Sequence, residues 1–128
     1  MSKVSEASGA AVKTALAYFE AWSKKDIDGT MSHVAENIVC HSPGGRIEGA
    51  AAFREFWAGF IKMLTGARLV ACFGDDTTAL VLYDTTTVPV AHAPAAECLT
   101  ITNGKITECR IVFDRAPFAE ARAKAAQA

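Results

Sequence analysis

Two carboxylates in the second half of the chain, Asp84 and Glu97, stand in runs of alternating apolar residues, where an acid is out of place. In an extended strand residues two apart share a face. That rule groups Leu80, Leu82, Asp84 and Thr86 on one side of a strand, opposite Tyr83, Thr85 and Thr87. If the aliphatic residues face a cavity, Asp84 goes inward with them. On the next run Glu97, Leu99 and Ile101 share a face by the same logic. A buried carboxylate is costly unless paired or protonated, and two in one pocket raise at least one proton affinity. That is the environment of a general acid or base working near neutral pH. Tyr18, one helical turn before Trp22, adds a hydroxyl donor. The candidate catalytic set is therefore Asp84, Glu97 and Tyr18, in a pocket walled by Trp22, Phe56, Phe60, Leu82, Leu99 and Phe113. Plainer alternatives stand beside it. Asp84 at a bulge would reach solvent, Glu97 could pair with Arg68 or Arg110, and Tyr18 could be core or pocket wall.

Other titratable residues offer less. Asp114 has the opposite parity to Ile111 and Phe113, so it should leave the cavity and pair with Arg110 or Arg115 at the strand end. His41 and Ser42 are neighbours on a strand and point to opposite faces, so they make no nucleophile–base pair. His33 reads as solvated or capping, and His92, between Pro89 and Pro94, as exposed. The 3 histidines lack ligand spacing, and no metal site is expected. The 4 cysteines (Cys40, Cys72, Cys98 and Cys109) have no CxxC spacing and read as small, reduced, mostly buried residues.

The elements that must position these groups follow from periodicity. Residues 8–24 form a first helix, with Val12, Ala15, Leu16 and Phe19 at helical spacing. Asp26 caps a short second helix carrying Ile27, Met31 and Val34. A strand over Asn37–Ser42 stops at Pro43-Gly44-Gly45, and Arg46–Gly49 is a second extended piece. Phe53, Phe56, Trp57, Phe60 and Leu64 lie on one face of a third helix, which Gly66 is placed to stop. Four antiparallel strands follow, over 68–73, 78–88, 95–102 and 105–114, the last two joined by Asn103-Gly104, a strong hairpin turn. From Pro117 an Ala-rich tail is a further helical candidate. Helices first and strands later argue for an α+β domain with a curved sheet wrapping the helices.

This succession resembles the NTF2-like superfamily, and within it the SnoaL-like and ketosteroid-isomerase-like groups, over residues 8–115. The likeness rests on Tyr18-Phe19-Glu20-Ala21-Trp22, Asp26-Ile27-Asp28, Ile38–Pro43, Ile47-Glu48-Gly49 and Gly104-Lys105-Ile106. It implies a cone in which a curved antiparallel sheet wraps three helices from the N-terminal half. By the isomerase pattern, Tyr18 and Glu97 fall where that family's oxyanion hole lies. The position of its proton-transfer base, just before Pro43, is Ser42, so 3-oxosteroid isomerisation by that mechanism is not expected. The epoxide-hydrolase pattern fails as well, because Leu82 rather than arginine lies two residues before Asp84.

The 128 residues suit one domain over 1–128. With 13 basic and 14 acidic residues, the net charge of −1 gives no reason to expect nucleic acid or an anionic membrane as partner. No apolar run approaches a bilayer span, and the start lacks a signal-peptide core, so a cytoplasmic location is expected. The expected function is binding of a small, mostly apolar, oxygen-bearing molecule, with cofactor-independent acid/base chemistry of the isomerase, cyclase, dehydratase or hydrolase type. The alternative is a non-catalytic ligand-binding or protein-interaction module of the same fold. A homodimer is expected through the outer sheet face, read as Tyr83, Thr85, Thr87, Cys98, Thr100, Thr102, Arg110 and Val112, a surface through which the resemblance also implies pairing.

Overall fold

In the computed structural model, which describes residues 9–127, α1 (Ala10–Ser23) buries Ala11, Ala15, Tyr18 and Trp22, residues at i, i+4, i+7 and i+11 spacing that fall on one helical face. Residue 8, placed at the helix start by the sequence pattern, lies outside the described residues, as does the N-terminal stretch read for a leader. In α2 (Ile27–Met31) the Asp26 carboxylate accepts the Gly29 N–H at 2.9 Å, the expected cap.

The strands are β1 (Val34–Ser42), β2 (Gly45–Glu48), β3 (Leu64–Gly74), β4 (Thr78–Thr87), β5 (Ala95–Thr102) and β6 (Lys105–Phe113), with α3 (Ala50–Met63) between β2 and β3 and α4 (Ala116–Gln127) at the end. They form one six-stranded sheet in the order β2-β1-β6-β5-β4-β3. Every neighbouring pair is antiparallel except β1 and β6, which run parallel. Bulges in β1, β3 and the β5–β6 pair interrupt the ladder, and bulges bend and twist a sheet. The helices α1 and α3 pack into its concave side, where the core holds Trp22, Trp57, Tyr18, Tyr83, Phe53 and Ile38.

Several boundaries differ from the periodicity reading, among them the start of β3, at Leu64 rather than Arg68. Val34 belongs to β1, not to the stripe of α2. Gly66 does not stop α3: the helix ends at Met63 and Leu64 is already extended, so helix passes directly into strand. Gly66 instead lies at a bulge of β3 beside Thr86, whose hydroxyl oxygen would stand 3.0 Å from an added Cβ. The tail helix starts at Ala116, one residue before Pro117, with the Asp114 carboxylate accepting the Ala116 N–H at 3.0 Å.

The β3–β4 turn is closely packed. Asp75 accepts the N–H groups of Thr77 and Thr78, both at 2.9 Å, and Gly74 lies so near the Thr78 carbonyl that a Cβ would overlap it. Gly74→Ala must move backbone rather than a side chain, and is expected to cost about 1–3 kcal/mol. A urea titration against the parent protein checks this; an unchanged midpoint would contradict it.

Candidate functional site

On β4 the inward set is Val81, Tyr83, Thr85 and Thr87, all buried, whereas Leu80 and Leu82 are 54% and 44% exposed. This reverses the phase expected from aliphatic content, and it corrects the reading of Asp84 and Leu82 as cavity residues. The reason is that the two inward threonines are satisfied: the Thr85 hydroxyl donates to the Ala93 carbonyl at 2.6 Å, and the Thr87 hydroxyl to that of Val90. Asp84 lies on the outer face, 2.7 Å from the Arg68 guanidinium and 3.7 Å from the His92 imidazole. Both neighbours are exposed surface side chains, so it cannot share a pocket with Glu97.

Glu97 faces the other way, 1% exposed at the centre of β5. Its register partner Val81 brings β4 alongside, and Ile111 does the same for β6. The Tyr83 hydroxyl donates to one carboxyl oxygen at 2.6 Å. The Tyr18 hydroxyl, from α1, donates to the other at 3.0 Å, and the Cys109 thiol reaches that same oxygen at 3.4 Å. Neither Arg68 nor Arg110 pairs with it: Arg68 holds Asp84, and Arg110 lies on the exposed side of β6. Burial raises the Glu97 carboxyl above its usual range, against the three hydrogen bonds, which pull it down. Burial also lifts both tyrosine hydroxyls well above their ordinary value, with the Glu97 charge adding to it. Cys109 is raised well above its usual range, first by a hydrogen bond with Cys40 and then by burial. The cluster therefore holds its protons tightly.

Next to this cluster is a cavity of about 240 Å³. Phe56, Trp57 and Phe60 of α3 form one wall, Tyr83 and Thr85 of β4 a second, and Ile111 and Phe113 of β6 a third. Tyr83 is the link, because its ring lines the cavity while its hydroxyl is bonded to Glu97. Four residues of the last segment, Arg115, Phe118, Ala119 and Arg122, border its mouth. Gly59 leaves space in the α3 wall, since an added Cβ there would have nothing within 4 Å.

Of the expected pocket residues, Phe56, Phe60 and Phe113 line this cavity. Trp22 and Leu99 do not line it, contrary to expectation, because both are fully buried in the core. Tyr18 stands behind it, on the far side of Glu97, in edge contact with Trp57 at 5.8 Å between ring centroids. Ser42 donates to the Gly45 carbonyl at 2.8 Å and does not reach the cavity. Asp114 caps α4 and likewise stays out, His92 is exposed, and His41 faces Glu108 at 3.4 Å. Among the described residues no group of three His, Cys, Asp or Glu side chains comes together as a metal cage would require. Sequence reasoning missed Tyr83, Arg115 and Arg122. The signal for the arginines was present: 115, 118, 119 and 122 are one helical stripe, i, i+3, i+4 and i+7.

A SnoaL-like domain matches residues 15–109 of this chain. A crystal structure of a protein from Kribbella flavida DSM 17836 is 55% identical, covers 94% of this chain and 100% of its own, and superposes with a TM-score of 0.90. A candidate polyketide cyclase from Sinorhizobium meliloti is 25% identical over 77% of this chain and 93% of its own, with a TM-score of 0.69. An NTF2-like protein of unknown function from Cytophaga hutchinsonii ATCC 33406, 19% identical over 82% of this chain and 90% of its own at a TM-score of 0.71, shares the fold. No curated protein sequence matches this chain.

The raised Glu97 carboxyl makes stability depend on pH with a definite sign. Above the ordinary glutamate value of about 4.5 the unfolded chain releases this proton while the folded protein still holds it. Folding stability from this group therefore falls as pH rises, until the folded value is passed. Glu97→Gln removes that dependence, so the stability of the variant relative to the parent is expected to rise with pH from 4.5 upward and then level off. Urea denaturation of both proteins at several pH values checks it; a difference that does not vary with pH would contradict the assignment.

Proposed function

This chain belongs to the SnoaL-like domain family, and we propose that within it the chain binds one small, mostly apolar, oxygen-bearing molecule in the cavity bounded by α3, β4, β6 and α4. The observation that carries this is the cavity itself, aromatic on two sides and bordered by a tyrosine whose hydroxyl is tied to a buried carboxyl. Tyr83 is the polar pole of the site. When the protonated Glu97 carboxyl donates to the Tyr83 oxygen across their 2.6 Å contact, the Tyr83 hydroxyl proton turns to an oxygen of the ligand and polarises it, while Tyr18 keeps its bond to the other carboxyl oxygen. This is the acid half of an acid/base reaction, carried out without a cofactor. Asp84 has no part in it, because its carboxylate is held by Arg68 on the opposite face. The likeness to a candidate polyketide cyclase fits a compact oxygenated substrate. A non-catalytic binding module of the same fold is favoured by one observation: among the described residues no carboxylate or imidazole lines the cavity to serve as the base.

A fragment screen read by thermal shift tests the cavity, since a binder stabilises the native state by mass action. Gly59→Ala is the paired control. It is expected to stabilise the empty protein by about 0.5–1 kcal/mol, as alanine is the better residue inside a helix. Its methyl group also narrows the cavity, so hits should shift this variant less than the parent. Equal shifts in both would place the binding elsewhere.

The same reading includes a homodimer through the outer sheet face, with the β4 part of the expected surface replaced. Tyr83, Thr85 and Thr87 point inward, while Cys98, Thr100, Thr102, Arg110 and Val112 lie outward as expected. The exposed apolar residues of this face are Val70, Phe73, Leu80, Leu82 and Val112. Phe73 lies beside Leu80 and Ala71 beside Leu82, and Ala96 of β5 joins Leu82 to Val112 of β6; a contiguous exposed apolar patch of this kind marks an interaction surface. A second copy is its natural occupant, because a two-fold contact is self-complementary. Sedimentation at micromolar concentration should give a species at twice the 13.6 kDa chain mass. Leu82→Lys should shift it toward the single chain, while a parent protein already monomeric would end the proposal.

A further inference from the structure

Three arginines of this protein sit on carboxylates: Arg46 on Glu48, Arg54 on Asp28 and Arg68 on Asp84. The two at the mouth of the cavity do not. Arg115 reaches only the Pro43 carbonyl oxygen, at 3.5 Å, and Arg122 has no hydrogen-bond or ion-pair partner among the described residues. Glu120 cannot serve it: the two are i and i+2, which do not meet on a helix, and Glu120 faces the β4–β5 loop with Lys124. Two guanidinium groups thus border an otherwise aromatic and aliphatic cavity without a counter-charge.

The helix that carries them is lightly held. None of the α4 residues is buried. Phe118 meets Phe113 edge-on, with centroids 5.9 Å apart, and the Asp114 cap fixes the first turn. A gap separates Pro117, Glu120 and Ala121 from the loop residues Pro89 and Val90. An element with so little buried apolar surface has low local stability, and a charge pair supplied by a ligand is an additional tie.

We infer that the cavity takes a ligand with an apolar body of one or two rings and an anionic group, a carboxylate or its like, which lies under α4 where Arg122 and Arg115 grip it. The inference rests on the reading of this cavity as a ligand site. An apolar cavity of about 150 Å³ holds benzene, so the 240 Å³ here suits a somewhat larger ring system. Guanidinium groups bind carboxylates with two parallel hydrogen bonds, more strongly than they bind neutral oxygens. The ligand then spans two poles: Tyr83 on the sheet wall and the arginines at the mouth. Its charge draws α4 down over the opening.

The test uses two probes of nearly equal shape, 2-naphthoate and neutral 2-naphthamide, with binding followed by calorimetry. The acid is expected to bind about tenfold more tightly than the amide, and to lose that advantage in Arg122→Gln and at high salt. Lys124→Gln, which alters charge on the same helix away from the cavity, should leave both affinities unchanged. Amide exchange in α4 should slow with the acid and not with the amide. Equal binding of the two probes, or an acid preference that survives in the double variant Arg115→Gln/Arg122→Gln, overturns the anion inference and leaves the cavity reading standing. Binding of neither probe overturns both. Arg122 is exposed, so its removal does not threaten folding.

Discussion

A carboxyl group with no cation beside it sits at the centre of this fold, and the arrangement around Glu97 follows from the cost of putting it there. Its oxygens take hydroxyl bonds from Tyr18 and Tyr83 and a thiol contact from Cys109, so α1, β4, β5 and β6 meet at one side chain. Each donor comes from a different element, and each could instead have bonded to water. Leaving one donor out would strand a buried polar atom, at about 1–3 kcal/mol. The group therefore constrains three things together: the rotation of α1 about its axis, the inward phase of β4, and the β4–β5–β6 register. Hydrophobic contact tolerates small slips, whereas a hydrogen bond of 2.6 Å does not.

The cavity lies alongside that fixed point and is built differently. Its walls are aromatic rings whose packing is permissive, with Trp22 stacked on Trp57 at 4.7 Å and Phe60 edge-on to both. The indole N–H groups of Trp22 and Trp57 have no partner among the described residues, so this layer gains its stability from area and shape rather than from polar satisfaction. The polar precision is confined to one side, where Tyr83 joins the rigid cluster to the open space. The contrast gives a site with one stiff end and one adaptable end.

The fold was largely legible in the sequence because its signals are local. Asn103-Gly104 fixes the β5–β6 hairpin, with Thr102 opposite Lys105, and the shared direction of Glu97, Leu99 and Ile101 follows from alternation along β5, whereas Ile111 comes opposite Glu97 through the bulge between Ile106 and Glu108. The phase of β4 was not legible. Alternation supplies two candidate faces and no rule for choosing between them except which is greasier, and here Leu80 and Leu82 outweigh Thr85 and Thr87. The long connection from Thr87 to Ala95 gives no turn geometry to fix the register. What reverses the choice is non-local: carbonyls of that loop fold back to receive the threonine hydroxyls, and Tyr83 meets Glu97. The mouth of the cavity was hidden for a related reason, since the stripe on α4 is short, carries two charges and has no buried residue to mark a face.

The bond between Tyr18 and Glu97 joins residues 79 positions apart, which matters for a chain made from one end. Synthesis adds about 5–20 residues per second, so on the order of 4–16 s pass between the appearance of Tyr18 and that of its partner. Through most of that interval α1 lacks the β3–β4 hairpin against which it packs, and β1 waits nearly as long for its parallel neighbour β6, in which Cys109 is the register partner of Cys40. Until that hairpin is made, the apolar stripe of α1, with Trp22 and Tyr18, lacks the strands that bury it in the folded protein. The sheet closes only after Phe113 has emerged, so the first helix made holds its polar side chain in readiness until the last two strands arrive.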